Sequence, residues 1–393
     1  MISKEDEKYM KIALNEAKKG AGSVNPNPMV GAVIVKSGEI LGIGYHHAYG
    51  MPHAEREAIS SVKTPENLAG STLYVTLEPC CHYGKTPPCT EAIISANINR
   101  VVCAMTDPNP VVSGKGINIL RNNEIEVEVG LLENEAKEMN KFFITKQLLH
   151  RPFVALKIAE TMDGKTASAS GMSQWITSEA SRNHAHMLRH KYMGILVGIN
   201  TVLEDDPTLN CRIENFSGNN PVRIILDANL RIPIECKIVK TADKIKTLVI
   251  CGKNTLAQRG KKNSGNKVSI LSAAGVDVIG LDVNENGFLN LYDVLNYLAK
   301  PPYNIDSILV EGGSTVHASF LGHKLADYAY FYIAPKILGG KNALPSIGGS
   351  GFPNPNFCPE IKIEGLSSLE KDILISGRII YPLADLKVNR AGT

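Results

Sequence analysis

Short apolar runs alternate with amphipathic stretches along the whole of this chain, and the alternation is broken conspicuously once, at Arg151-Pro152. Such alternation restricts the fold to layered α/β architectures, because each run buries itself only against the apolar face of a neighbouring helix. In the first part, helical spacing covers Lys4–Lys19, and Met29–Val35 reads as a strand. Its expected partner is Glu39–Tyr45, joined through a turn at Lys36-Ser37-Gly38. A helix over Ala54–Val62, a strand at Thr72–Thr76, a helix at Thr90–Ala96 and a strand at Arg100–Ala104 follow. Gly116–Arg121, Glu126–Val129 and one long helix over Glu133–Leu149 complete a mostly parallel α/β sandwich. A new strand opens at Phe153, so the expected domains are 1–150 and 151–393. In the second, strands are expected near Val154–Ile158, Ile195–Val197, Val222–Leu226, Thr247–Cys251 and Ile308–Val310. Helices are expected near Glu179–Lys191 and Leu291–Leu298, with loops at Asn263–Asn266 and Gly348–Pro359.

At 393 residues the chain suits two or three domains. Its net charge of +3 is spread out and aromatics are 6% of the residues, which argues against a dedicated nucleic-acid binder. The N-terminus is an amphipathic helix with no signal-peptide core, and no stretch reaches the roughly 18 uninterrupted apolar residues of a membrane span. A cytoplasmic protein is expected, with thiols reduced. Cys103, Cys211, Cys236, Cys251 and Cys358 are scattered and mostly read as small core residues; Cys80, Cys81 and Cys89 are clustered and need a chemical reason.

That reason is a metal. His53-Ala54-Glu55 follows Pro52 at the start of an expected helix, and Cys80 and Cys89 flank a loop between a strand and another helix. One imidazole and two thiolates leave the fourth tetrahedral position of Zn²⁺ open for water, as a catalytic site requires. Zinc lowers the pKa of such a water to about 7, and Glu55, a carboxylate that is not a ligand, is placed to move its proton. Helix N-termini favour the thiolate forms of both cysteines. Taken alone, His-Ala-Glu says little; the order, spacing and helix-start positions of the three ligands carry the reading. A structural zinc site with Cys81 as fourth ligand is the alternative.

His-Ala-Glu followed by Pro-Cys and a second Cys is the signature of cytidine-deaminase-like zinc enzymes. Eight residues separate Cys80 from Cys89, where most of those enzymes have two. With that insert (HYGKTPPC), NPNPMVGAVIV and GYHHAYGMPHAE, the chain resembles the bifunctional riboflavin-biosynthesis deaminase–reductase family over nearly its whole length. The resemblance implies a three-layer α/β/α deaminase domain followed by a dihydrofolate-reductase-like α/β domain. It also implies a diaminopyrimidinone substrate bearing a phosphoribosylamino group, contacted by Asn25, His46, His82 and Lys85, with Lys85 on or near the phosphate. Read without the family, Asn25 could stabilise a turn, His46 could be a satisfied core or surface histidine, and Lys85 a solvated charge. The family's usual Ser after the first cysteine is Cys81 here.

Beyond residue 151, Lys157–Lys165 runs on to a polar loop with the only tryptophan, Trp175, which is either core filler or a flat wall for a ring. Gly198–Arg212 places two acids and an arginine after a strand-ending glycine, which could be a solvated loop. Ser307–Val316 ends an apolar strand in Glu-Gly-Gly before a helix, a phosphate-binding turn that is not a Rossmann GxGxxG. These segments resemble the reductase half of the same family, which implies hydride transfer from NADPH to C1 of the ring-opened ribose. The matching positions imply that Ala159, Trp175, Thr201, Asp205, Ala228 and the turn Gly313, Ser314, Thr315, Val316, His317, Ala318 and Ser319 contact NADP. Ser173, Arg189, Leu209, Arg212 and Glu311 would contact substrate, with Arg189 and Arg212 pairing with the sugar phosphate bidentately. Glu311 would orient or protonate the opening sugar. The family also implies a homo-oligomer. Two rival readings are a nucleic-acid-editing deaminase with an RNA-binding C-terminal part, which the sparse aromatics and absent basic stripe disfavour, and a single-activity relative with one scaffold half.

Overall fold

A computed structural model describes residues 2–84, 87–110, 112–213, 218–259 and 265–382. The chain divides into two compact units between Arg151 and Pro152.

The first unit has strands β1 (Gly31–Lys36), β2 (Glu39–Tyr45), β3 (Thr72–Val75), β4 (Arg100–Cys103) and β5 (Glu126–Val129). Its helices are α1 (Lys4–Ala17), α2 (Ala54–Ser60), α3 (Cys89–Ser95), α4 (Lys115–Asn122), α5 (Glu133–Met139) and α6 (Lys141–Leu149). The sheet order is β2-β1-β3-β4-β5. Only β3, β4 and β5 run parallel: the tight Ser37-Gly38 turn, with φ of 51° and 82°, folds β2 back on β1, and β1 is antiparallel to β3 as well. The sheet is therefore mixed and not mostly parallel.

Helices cover both faces. α1 starts with a capping box between Ser3 and Asp6 and buries Tyr9, Met10, Ala13 and Leu14. It lies so close to β1 that a Cβ on Gly31 would come 2.0 Å from the Ala13 carbonyl oxygen. On the other face, Gly42 and Gly44 pair with Ile34 and Ala32, and Cβ atoms there would fall 2.3 and 2.4 Å from the backbone of Ala58. Successive strand residues alternate between faces, so α1 and α2 sit on opposite sides and the unit has three layers. The expected single helix over Glu133–Leu149 is broken at Asn140. The buried amide of Asn140 accepts the Met29 N–H and donates to the Met29 carbonyl, at 2.8 and 2.9 Å, and α6 starts anew from there.

The second unit has strands β6 (Phe153–Thr161), β7 (Lys165–Ala167), β8 (Gly194–Gly198), β9 (Val222–Leu226), β10 (Thr247–Gly252), β11 (Val276–Leu281), β12 (Ser307–Val310), β13 (Tyr328–Ala334), β14 (Leu344–Pro345), β15 (Glu360–Leu369) and β16 (Asp372–Ile380). Its helices are α7 (Glu179–Lys191), α8 (Ile199–Asp205), α9 (Lys237–Lys240), α10 (Lys253–Arg259), α11 (Gly265–Ala273), α12 (Leu291–Ala299) and α13 (Ser314–Gly322). The loop expected at Asn263–Asn266 instead holds the start of α11, and its first two residues lie outside the described ones. The nine-stranded sheet runs β11-β10-β9-β8-β12-β6-β13-β16-β15, parallel from β11 to β13 and antiparallel at β16 and β15. Its central strands β8 and β12 are almost wholly buried and apolar, as helices on both faces demand. Arg223 on β9 is fully buried, and its guanidinium donates to the Thr241 and Thr247 hydroxyls and to the carbonyls of Thr208, Ile238 and Ile245. Through Thr208 it fixes the loop that carries Leu209–Arg212.

Candidate active sites

The first unit gathers three metal-ligating side chains from separate elements. His53 is the residue capping α2, in extended conformation at φ −77° and ψ 160°. Cys89 opens α3, and Cys80 leaves the turn after β3. Nδ1 of His53 lies 3.4 Å from the Sγ atoms of both cysteines, and the Cys89 N–H donates to the Cys80 sulfur at 3.3 Å. All three ligand atoms fall within 4.8 Å of one another, and among the described residues no other such group of His, Cys, Asp or Glu occurs. A tetrahedral zinc with bonds of about 2.0–2.3 Å places its ligand atoms about 3.5–3.8 Å apart, so the donor set fits the ion in type and in spacing. Cys81 is half-buried and outside the group, so it supplies no fourth ligand.

Charges in this cluster are strongly linked. Hydrogen bonds with Cys89 and His53 pull the Cys80 thiol well down, while the hydrogen bond to Cys80 and burial push the Cys89 thiol far up. A bound dication would remove that conflict and let both ionise. Glu55, in the first turn of α2 and only 3% exposed, is pushed up to about 7 by burial and then by the nearby Cys80 charge. A carboxyl group poised there exchanges protons readily near neutral pH.

The expected substrate contacts are placed unevenly. Asn25 is half-buried and His82 is exposed, while Lys85 lies outside the described residues. His46 is buried, with both ring nitrogens engaged: Nδ1 donates to the Pro52 carbonyl at 3.0 Å and Nε2 accepts from the Asn27 amide at 3.1 Å. It therefore braces the backbone leading into His53. Neither Asn27 nor Arg56, which donates to the Pro87 and Pro88 carbonyls ahead of Cys89, was legible as part of this scaffold.

The glycines under α2 make a testable claim. Gly44→Ala is expected to push α2 off β2 at a cost of about 1–3 kcal/mol. Zinc retention on dialysis should fall with it. Unchanged stability and zinc content would show that the contact yields.

In the second unit, a charged cluster lies at the carboxyl end of β12 and beside the middle of β6, and the carboxyl ends of strands are where open parallel sheets bind ligands. Arg189 of α7 grips Glu311 bidentately at 2.7 and 2.8 Å and donates to the Asn210 carbonyl at 3.0 Å, and Lys157 lies 3.7 Å from the same carboxylate. Burial alone would raise Glu311, but the Arg189 and Lys157 charges outweigh it and hold the carboxyl down to about 2. The Arg189 fork pairs with Glu311, and its charge helps hold that carboxyl as an anion. The sequence reading missed Lys157, which is half-buried and whose pKa desolvation pushes below its ordinary value. Its signal was a lysine within an apolar strand.

Arg212 is exposed, with Nη1 donating to the Thr208 hydroxyl at 2.7 Å. Leu209 is buried at φ 49°, and Ser173 is half-buried. Gly313, at φ 42°, begins α13, and a Cβ there would come 3.8 Å from the Thr201 hydroxyl. Val316 crowds Gly198, so Thr201 and the Gly313–Ser319 turn share the end of β8. The His317 Nδ1 donates to the Ser346 carbonyl at 3.1 Å. The Ala228 carbonyl accepts from Gly252 and Thr255, Asp205 is exposed at the end of α8, and Ala159 is half-buried on β6. Trp175 is 62% exposed, with the Arg182 guanidinium 4.4 Å from its ring centre, so it is a surface wall and not core filler.

Residues 3–105 match the cytidine and deoxycytidylate deaminase zinc-binding region, and residues 152–375 match the RibD C-terminal domain. Fold and sites together define a zinc deaminase joined in one chain to a reductase. The riboflavin biosynthesis protein RibD of Aquifex aeolicus is 44% identical over 375 residues, covering 95% of this chain and 99% of that one. The structure resembles Acinetobacter baumannii RibD at a TM-score of 0.84 and 36% identity, over 96% of this chain and 99% of that one. It also resembles the diaminohydroxyphosphoribosylaminopyrimidine deaminase/5-amino-6-(5-phosphoribosylamino)uracil reductase of Thermotoga maritima at a TM-score of 0.81 and 40% identity, over 95% and 99%. The chain belongs to the RibD family of bifunctional riboflavin biosynthesis enzymes.

Proposed function

We propose that residues 1–150 deaminate 2,5-diamino-6-(5-phosphoribosylamino)pyrimidin-4-one hydrolytically and that residues 151–393 then reduce its ribosyl side chain with NADPH. The product is 5-amino-6-(5-phosphoribitylamino)uracil. The observation that carries the reading is the triangle of His53, Cys80 and Cys89 with Glu55 buried beside it. His53, Cys80 and Cys89 hold Zn²⁺, which when bound supplies the acidity that makes water a nucleophile near neutral pH. Glu55 takes the proton of the attacking water and passes it to the departing amine. Asn25, His46, His82 and Lys85 would contact the phosphorylated substrate, and His46 also keeps the His53 backbone in place.

In the reductase, NADPH supplies the hydride to C1 of the opened sugar. Lys157 then delivers a proton to the carbonyl oxygen, and Glu311, itself gripped by Arg189, keeps that ammonium charged and aimed. Arg189 and Arg212 would meet the sugar phosphate, and Ser173, Leu209 and Glu311 would contact the rest of the substrate. Ala159, Trp175, Thr201, Asp205, Ala228 and the Gly313–Ser319 turn cradle the cofactor. Among the described residues no helix is long and apolar enough to cross a membrane, and we place the enzyme in the cytoplasm. The exposed strand β15, with Ile363 59% and Leu366 71% exposed at the edge of the sheet, favours a homo-oligomer. The nucleic-acid-editing reading finds no support in this site.

Zinc-loaded protein given the pyrimidine should release ammonia first and oxidise NADPH second, in equal amounts. Because the chain holds one tryptophan, NADPH titration should also change its fluorescence. Ammonia release that survives complete zinc removal, or NADPH that leaves Trp175 emission unmoved, would refute the corresponding half.

A further inference from the structure

Glu78 stands two residues before Cys80 and is 3% exposed. Its carboxylate takes four backbone N–H groups. Oε2 accepts from Asp107 at 3.0 Å and Gly114 at 2.9 Å, and Oε1 accepts from Gly116 at 2.9 Å and Ile117 at 3.4 Å. The Glu78 N–H in turn donates to the Met105 carbonyl at 3.0 Å. The four donors lie on the segment that leaves β4 and enters the first turn of α4. That segment sits directly on the turn carrying the zinc cysteine, since a Cβ on Gly116 would come 2.1 Å from the Pro79 carbonyl oxygen. An ionised carboxylate is the side chain suited to this place, with about four acceptor sites and no donor. A glutamine there would turn an N–H₂ toward backbone N–H groups that have lost their acceptor.

We infer that Glu78 is a positioning residue for the zinc site: it locks the Pro79-Cys80 turn onto the Asp107–Ile117 segment and so fixes where the Cys80 sulfur stands relative to Cys89 and His53. The inference rests on the deaminase reading above. Groups that orient metal ligands from outside the coordination sphere typically account for roughly 10- to 100-fold in metal affinity or activity.

The test is Glu78→Gln in the full-length chain, loaded in parallel with Zn²⁺ and with Co²⁺ as a spectroscopic probe of a one-nitrogen, two-sulfur site. The variant should keep the wild-type far-ultraviolet circular dichroism and NADPH oxidation with pre-deaminated substrate. Its thiolate-to-cobalt absorption bands should shift, zinc should bind about 10-fold or more weakly, and deaminase kcat should fall more than KM rises. Glu78→Asp, which keeps the charge but shortens the reach, should fall between the two, and it decides the matter if Glu78→Gln does not fold. Wild-type cobalt bands, zinc affinity and kcat in a folded variant would overturn the positioning role. Wild-type protein that takes up neither metal would instead overturn the deaminase reading.

Discussion

Glu55→Gln protein is expected to hold about one zinc per chain, to release no measurable ammonia from the pyrimidine, and to oxidise NADPH normally when given pre-deaminated substrate. Glutamine matches glutamate in size, and Glu55 lies in the first turn of α2 beside the ligand group without belonging to it, so zinc retention should survive. What glutamine lacks is a basic oxygen. General acid–base catalysis is worth about 10²–10⁴ in rate, and one carboxylate here serves both the attacking water and the leaving amine, so the upper end of that range is expected. The reductase should be untouched, because its buried clusters are built wholly from residues beyond the division at Arg151 and Pro152. Ammonia assay, metal analysis and the NADPH absorbance decay, run on one preparation, check all three statements. Undiminished deamination would mean that another group moves the proton.

The second large effect is on stability. Glu311→Gln leaves the half-buried Arg189 guanidinium and Lys157 ammonium without their counter-charge, and breaking a largely buried ion pair at one partner costs up to about 3–5 kcal/mol. For a domain of this size that is a fall of roughly 10 °C in melting temperature. Reduction should be lost with it, since Lys157 is no longer held. Acid dependence gives a separate signature. The Glu311 carboxyl is held at about 2 against an ordinary value of 4.5, a lowered pKa, so its contribution is complete above the ordinary value and disappears as pH falls. In the wild type about 3 kcal/mol should be lost between roughly pH 5 and pH 2. The variant should lack that loss. Trp175, the single tryptophan, lies in this unit and reports its unfolding by urea at each pH. A variant as stable as wild type, with an identical acid profile, would show that the cluster is solvated and not buried.

Much of the deaminase centre was legible because metal chemistry restricts residue types more tightly than packing does. One histidine, two cysteines and a glutamate two residues from the histidine admit few uses. The bracing behind that centre was not legible. Asn27 acts through the His46 ring, and His46, Arg56 and Glu78 act through backbone groups of other segments, and no local pattern announces which amide a buried carboxylate will accept from. In the reductase cluster Arg189 and Glu311 were both legible but their pairing was not, because two side chains 122 residues apart announce no contact until the fold brings them together. Among the strands, β7, β11, β13, β14, β15 and β16 escaped the sequence reading. Tyr328–Ala334 is rich in tyrosine and lacks clean alternation, and β15 is mostly exposed, so its pattern carries little hydrophobic signal.

The break between Arg151 and Pro152 has a consequence for how this enzyme can change. Each half carries its own hydrophobic interior, so damage to one need not unfold the other. Selection can therefore tune the hydrolytic and the reductive chemistry at separate paces, while a single translation event still delivers the two in fixed one-to-one proportion.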